Sequence, residues 1–297
     1  MTKTHTGLVV LIAFLAGLLG AWVFTAKKTD HEGVVIAASV KESAYDRVMR
    51  TQTIRCGYAL WAPMLMKDPN TGKLSGVFYD YVEALGKALS LKIDWAEETG
   101  LGDFPAALNF GRIDAMCSGG WANSARARII DYTSPILYQP VFVYARIDDH
   151  RFDNNLAAIN NRSILIAAID GGTPRVIAEH DFPEATFYSL PQLSDMSEPF
   201  VAMSMKKADL VLMEPSTAAA FAQHNPDKIR RVPLPAPLRV FGTGLAIGGG
   251  QDRLQHMLDM ATRELISSGE ITRIMDSYKP LTDDFFPVAP PYKETTP

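Results

Sequence analysis

Residues 111–135 decide the fold of this chain and read GRIDAMCSGGWANSARARIIDYTSP. They predict a short apolar strand at 113–117, which ends in a Ser-Gly turn before a polar segment. A similar pattern, Lys207-Ala-Asp209 followed by an apolar run at 210–213, occurs later in the chain. Both copies carry a basic residue, a spacer, an aspartate and an apolar strand. The sequence therefore predicts two units of similar construction.

Around these copies the chain alternates between strand-like and helix-like segments, which predicts an α/β fold. Strands are expected at 54–58 and 91–95, with a helix between them that is capped by Asp80. Asp103 is expected to cap a second, short helix at 104–110.

Extended segments at 141–144 and 241–247 separate the two units in the sequence. Two such segments on either side of an inserted unit would form a double-stranded hinge. We therefore assign residues 45–140 and 240–297 to lobe 1, and residues 141–239 to lobe 2.

The N-terminus contains 18 consecutive uncharged residues at 7–24, with lysines on both sides. This length is close to the minimum for a helix that crosses a bilayer, and no small-residue cleavage site follows it. We predict a signal-anchor or transmembrane segment at 1–27 and a tether at 28–44. A cleaved signal peptide is the alternative, and either would export the remaining chain.

The composition is that of a globular protein, with 47% hydrophobic and 21% charged residues. The net charge of −4 and the lack of a basic stripe argue against a nucleic-acid partner. The six histidines lack metal-ligand spacing, and neither GxSxG nor HExxH occurs. We therefore predict no metal, no cofactor and no catalytic residue.

The chain has two cysteines, Cys56 and Cys117, and both fall in predicted strands. In an oxidising compartment they can form a disulfide, but strand geometry often forbids one. The sequence leaves open a disulfide or two buried thiols.

Residues 111–135 resemble the signature of family 3 bacterial extracellular solute-binding proteins. That signature is Gly-x-x-Asp-Ala, an apolar strand, Ser-Gly, Thr-x-x-Arg, Asp-Phe-Ser and Pro-Tyr. Arg126 takes the arginine position, Asp131-Tyr-Thr replaces Asp-Phe-Ser, and the resemblance extends over residues 54–278.

The resemblance implies a periplasmic-binding-protein-like clamp of type II, with two lobes joined by two hinge strands. Such a protein captures an amino acid or a similar small zwitterion between its lobes and delivers it to the membrane permease of an ABC importer. The implied location is the periplasm or the extracytoplasmic face of the cytoplasmic membrane.

The resemblance also assigns ligand-binding roles to residues of this chain. Arg126 corresponds to the carboxylate clamp, because guanidinium offers planar paired donors. Thr173 corresponds to a threonine that closes over the carboxylate, and Glu214 to an aspartate that binds the ligand ammonium. The full predicted set is Tyr58, Trp61, Ser118, Gly119, Trp121, Asn123, Arg126, Thr173 and Glu214.

Several of these positions carry alternatives. Trp61 is either a pocket aromatic or an ordinary core residue. Trp121 and Asn123 replace a small hydroxyl residue and a threonine. Glu214 is one methylene longer than aspartate, and it is equally an acid at a helix N-terminus before Pro215.

An enzyme is the alternative function. Cyclohexadienyl dehydratases resemble this family and act on prephenate or arogenate in the same cleft, where Glu214 would be a general acid. A ligand-sensing module is a third possibility, although no signalling domain is recognisable in the sequence.

Overall fold

The computed structural model describes residues 42–281 and 284–288. The anchor predicted at 1–27 and residues 28–41 of the tether lie outside this part. No helix in the described part is both long and apolar enough to cross a bilayer.

The described residues form an α/β fold. Its helices are α1 (Ala44–Thr51), α2 (Val77–Leu89), α3 (Phe104–Phe110), α4 (Thr173–Asp181), α5 (Glu198–Ser204), α6 (Pro215–His224), α7 (Asp252–Ser267) and α8 (Glu270–Ser277), with a 3-10 turn at Leu156–Ile159. Its strands are β1 (Thr53–Tyr58), β2 (Met66–Lys67), β3 (Leu74–Ser75), β4 (Lys92–Glu98), β5 (Ala115–Trp121), β6 (Ile130–Tyr132), β7 (Leu137–Arg146), β8 (Leu165–Ile169), β9 (Thr186–Leu190), β10 (Leu210–Met213), β11 (Ile229–Arg231), β12 (Arg239–Gly248) and β13 (Phe286–Pro287).

The strands β1, β4 and β5 form a parallel group, with β1 in the centre. Strand β5 is buried almost throughout, while β4 at the edge alternates between exposed and half-buried residues. Helix α2 covers this group with Phe78, Tyr81 and Leu85, which are all fully buried. These residues share one helical face, as their spacing requires.

The strands β8, β9 and β10 form a second parallel group, with β8 in the centre. Strand β7 runs antiparallel to β10, and β11 runs antiparallel to β7. A core cluster around Val143, Ile166 and Leu212 lies against this group.

The strands β7 and β12 connect the two parallel groups. They pair with each other from Val141–Arg239 to Leu137–Thr243, while β12 also pairs with β5, and β7 with β10. The buried side chain of Gln139 links them further, because its Oε1 accepts the Thr243 hydroxyl at 2.7 Å. The pairing of β7 with β12 covers residues 137–141 and 239–243, while most of the predicted hinge segments 141–144 and 241–247 pairs within one half or the other.

The repeated aspartates occupy equivalent places in the two halves. Asp114 Oδ2 accepts the backbone N–H of Arg55 at 2.7 Å, and Asp209 Oδ2 accepts that of Leu165 at 2.9 Å. Each aspartate N–H also donates to the carbonyl of the same partner residue, at 2.8 Å and 2.7 Å. Both aspartates thus tie a loop to the start of a parallel strand.

Two local expectations were wrong. Helix α2 begins at Val77 with Gly76 as its N-cap, and Asp80 instead accepts a 2.7 Å hydrogen bond from the Tyr278 hydroxyl. Asp103 directly precedes α3, but its side chain makes no capping hydrogen bond. Residues 124–129, between β5 and β6, form turns.

Cys56 and Cys117 form a disulfide that joins β1 to β5, with their Cα atoms 5.4 Å apart. Both residues are fully buried in the core beneath α2. Of the two possibilities that the sequence left open, the structure contains the disulfide.

Candidate ligand-binding cleft

A cleft lies between the two sheet halves and is lined by residues of both. One wall comes from residues that follow β1, β4 and β5, and the other from residues that follow or end β8, β9 and β10. The carboxyl ends of parallel strands are where ligands bind in α/β sheets. The fold therefore places this cleft where a ligand site is expected.

Arg126 lies on the floor of the cleft, in the turn segment after β5. Its Nη2 donates to the carbonyl of Leu101 at 3.1 Å and to the carbonyl of Gly171, which belongs to the opposite wall. Its guanidinium also lies over the Phe104 ring, 4.7 Å from the ring centroid. The guanidinium is thus held flat between the two walls.

Ser118 and Gly119 line the cleft at the end of β5. Ser118 Oγ accepts the backbone N–H of Ala59 at 3.1 Å, which fixes the loop after β1. Gly119 has a φ of +82°, and a Cβ there would lie 2.7 Å from the Phe78 ring. Only glycine fits this position without displacing the buried ring.

Trp61 and Trp121 meet edge to face in the cleft, with ring centroids 5.4 Å apart. Trp121 also stacks on Phe241 of β12 at 5.4 Å, and its Nε1 donates to Gln139 at 2.9 Å. This arrangement fixes Trp121 against both connecting strands. Both tryptophans line the cleft.

Thr173 lines the opposite wall as the first residue of α4. Its Oγ1 accepts a hydrogen bond from Asn123 Nδ2 at 3.4 Å, so these residues face each other across the walls. Asn123 Oδ1 also accepts the backbone N–H of Arg126 at 3.2 Å. Asn123 is thus a neighbour that positions Arg126 and Thr173.

Glu214 is fully buried and acts as the N-cap of α6, where its side chain accepts the backbone N–H of Thr217 at 3.3 Å. Its Oε1 also accepts from Trp61 Nε1 at 3.0 Å and from Ser216 at 3.2 Å. Burial raises the pKa of this carboxyl, although its hydrogen bonds partly offset the rise. Glu214 therefore lies behind Trp61 and is not part of the cleft wall.

Tyr58, another predicted ligand-binding residue, contacts other parts of the fold. It is buried at the end of β1, and its ring packs edge to face against Trp95 at 6.0 Å. It is not among the residues that line the cleft.

Several cleft residues were not predicted. They are mostly large and apolar: Leu101, Phe104, Met116, Met196, Leu212 and Met213. Met116 lies near the start of β5. The others lie near the carboxyl ends of β4, β9 and β10, a signal that could have identified them once the strand order was known.

The polar character of the cleft comes from few groups. Among the described residues that line it, Arg126 is the one with a charged side chain. The buried hydroxyl of Tyr132 lies near this guanidinium, which partly offsets the rise in the tyrosine pKa caused by burial. The described residues contain no cluster of three or more side chains that could hold a metal ion. A positive floor between apolar walls suits a small anionic ligand.

These features define a two-walled binding fold with an arginine at the base of its cleft. Residues 54–280 match the model of the bacterial extracellular solute-binding proteins, family 3. The chain belongs to this family of solute-binding proteins.

Solved structures with the same fold include an ancestral amino acid-binding protein, AncCDT-1, described as a precursor of cyclohexadienyl dehydratase. It has a TM-score of 0.69 and 21% identity, and the match covers 80% of this chain and 99% of that chain. A mutant of ArgBP from T. maritima has a TM-score of 0.68 and 18% identity, with 79% and 98% coverage. AbpA from Streptococcus pneumoniae, bound to L-arginine, has a TM-score of 0.68 and 15% identity, with 78% and 96% coverage. The chain matches no curated protein sequence.

Proposed function

We propose that this protein is an extracytoplasmic receptor that captures an amino acid or a similar small solute and delivers it to the permease of an ABC importer. The observation that carries the proposal is Arg126, whose guanidinium lies between two cleft walls and contacts both. Membership of the solute-binding family and structural neighbours described as amino-acid-binding proteins support it. In this proposal Arg126 binds the ligand carboxylate.

We assign the division at 140/141 and 239/240 to two lobes that move about β7 and β12. Ligand favours the closed form because only that form brings contacts from both lobes to the solute at once. The Arg126–Gly171 and Asn123–Thr173 contacts support this view, since each joins the proposed lobes. In this proposal Ser118, Gly119 and Trp121 contact the ligand from lobe 1, and Thr173 from lobe 2.

The two assignments for Glu214 have different consequences for binding. If it is the ammonium partner, its buried Oε2, which has no hydrogen-bond partner, must become reachable from the cleft past Trp61, which donates to Oε1. As a helix cap it needs no movement. Titrating Glu214→Gln with an amino acid separates these roles, because only the first predicts a large loss of affinity.

A thermal-shift screen of the purified full-length chain against amino acids, polyamines and aromatic acids tests the proposed function. A solute present at one hundred times its dissociation constant adds about 2.7 kcal/mol to the free energy of unfolding. The receptor function predicts such a shift for at least one small carboxylate. If no solute in the panel stabilises the protein, the receptor function is rejected.

We also propose that the uncharged segment at 7–24 keeps the receptor at the outer face of the cytoplasmic membrane. Its length and its flanking lysines support this assignment. Mass spectrometry of the mature protein tests it, because an uncleaved anchor retains residues 1–27 and extracts only with detergent.

A dehydratase is the second candidate, and the burial of Glu214 favours it. A buried carboxyl with a raised pKa can remain protonated and act as a general acid. In prephenate it would protonate the departing hydroxyl, which leaves as water while the ring carboxylate leaves as carbon dioxide. Incubation with prephenate distinguishes the candidates, since rapid formation of phenylpyruvate would identify an enzyme.

A further inference from the structure

The walls of the cleft are formed mainly by large apolar side chains. Trp61, Trp121 and Phe104 contribute three aromatic rings, and Met116 and Met213 add flexible thioether chains. Protein pockets of a few hundred Å³ enclose most of a small ligand, so the enclosed part of the ligand must match these walls. A charged or amide-bearing side chain would lose its water here without gaining partners.

The polar groups on the cleft walls are donors. Arg126 carries donors alone, while Ser118 and Thr173 each use their hydroxyl oxygen to accept a hydrogen bond from the protein. Their hydroxyl protons therefore remain for a ligand acceptor. Such a set fits one carboxylate, and the second lone pair on each hydroxyl oxygen is the main side-chain acceptor that it offers to an amide or a guanidinium.

No carboxylate reaches the cleft wall in the described part of the chain. Glu214, the nearest candidate from the sequence, lies behind Trp61 and is fully buried. A cationic ligand side chain, such as that of arginine, would therefore lie among apolar groups without a countercharge. Burial of an unpaired charge is strongly unfavourable.

We propose that the solute is a small carboxylate with a large, apolar and uncharged body, of the aromatic or branched aliphatic type. This inference rests on the proposed receptor function and specifies its ligand. The carboxylate binds Arg126 with the hydroxyls of Ser118 and Thr173, and the apolar body contacts the tryptophans and methionines. A 2-oxo acid fits this description directly, and an amino acid fits it where Glu214, whose buried Oε2 has no hydrogen-bond partner, takes its single ammonium.

Isothermal titration of the purified full-length chain tests the proposal with six probes: L-phenylalanine, phenylpyruvate, L-leucine, 4-methyl-2-oxopentanoate, L-arginine and L-glutamine. At least one of the four apolar probes should bind at least about tenfold more tightly than arginine or glutamine. Within each apolar pair, tighter binding of the amino acid identifies that class as the source, and tighter binding of the 2-oxo acid identifies the other.

Tightest binding of arginine or glutamine overturns the proposed ligand class but leaves the receptor function intact. If none of the six probes binds, the ligand class is wrong. In that case the receptor function is rejected as well only if the wider thermal-shift screen also finds no ligand. These results separate failure of the ligand class from failure of the function.

A change from methionine to glutamine tests the apolar wall with little change in side-chain length. Met213→Gln should weaken the tightest apolar probe about tenfold, because it places an amide against the apolar body. Met205→Gln is the matched control, since Met205 is 61% exposed and should leave affinity unchanged. An unchanged affinity in a folded Met213→Gln protein, verified by circular dichroism, overturns the proposal. If that variant does not fold, the half-buried Met196 provides the same test.

Discussion

Truncation of Arg126 is the most direct test of the cleft. Arg126→Ala removes a guanidinium that donates to Leu101 and Gly171 and lies over Phe104. With a carboxylate bound, the same change leaves a buried anion without its partner. Loss of one partner from a buried charged pair costs about 2–5 kcal/mol.

This cost has a measurable consequence. A loss of 2 kcal/mol raises the dissociation constant about thirtyfold, since each 1.4 kcal/mol is a factor of ten. A ligand concentration that gives wild type about 2.7 kcal/mol of added stability then gives the variant less than about 1 kcal/mol. In a chain of this size about 1 kcal/mol corresponds to 2–4 °C in Tm. The ligand-induced shift should therefore fall from about 5–10 °C to below about 4 °C.

The assay is a thermal-shift titration of wild type, Arg126→Ala and Arg128→Ala with the tightest ligand from the screen. Arg128 is exposed on the same turn segment, so its variant controls for the loss of one positive charge. It should retain the full wild-type shift. If Arg126→Ala also retains the full shift, Arg126 does not bind the ligand.

Three further predictions concern other features of the fold. Cys117→Ala removes the buried disulfide and should lower the free energy of unfolding by about 2–5 kcal/mol in urea titrations, whereas a reducing agent should destabilise only wild type. Gly171→Ala places a Cβ 2.5 Å from Gly102 Cα and should weaken ligand binding at least tenfold by titration calorimetry (about 1.4 kcal/mol or more). Gly111→Ala is its control, because Gly111 has a similar φ of +74° but no atom within 4 Å of the added Cβ. Equal losses of affinity in both variants would contradict the steric explanation. Burial raises the pKa of Glu214 above its ordinary 4.5. Wild type should therefore lose stability relative to Glu214→Gln as pH rises above 4.5. In urea titrations this loss should be at most about 1.4 kcal/mol per pH unit. A pH-independent difference between these two proteins would refute that cause.

The order of strands and helices along the chain was largely predictable from the sequence. Short apolar runs located β1 and β10, and the repeated aspartates of the two halves hold equivalent backbone hydrogen bonds. The helix predicted at 104–110 was also correct in both bounds. Its local signal is Gly111, which ends the helix in the left-handed conformation, whereas the Asp103 side chain makes no capping hydrogen bond.

The start of α2 was not predictable from local sequence. Asp80 is a good N-cap residue, but it accepts a hydrogen bond from Tyr278, which lies far away in the chain. Burial and the neighbouring Asp80 raise the pKa of Tyr278 to about 12, which reflects the same long-range contact. Tertiary structure therefore overrode a local capping preference.

The candidate site was predictable in its position and only partly in its chemistry. Resemblance located Arg126, Trp61, Trp121 and Thr173, which all line the cleft. It could not show that Glu214 would cap α6 behind Trp61, since that depends on how the two halves meet. The role of Glu214 in ligand binding stays a prediction.

The contact between Gly171 and Gly102 limits the size of the ligand that the closed cleft can hold. Two main chains meet there, because a Cβ on Gly171 would lie 2.5 Å from both the N and the Cα of Gly102. Unlike side chains, a peptide backbone cannot rotate away to make space. The closed cleft therefore has one fixed size. A ligand that is too large would bind poorly because it would keep these two backbones apart.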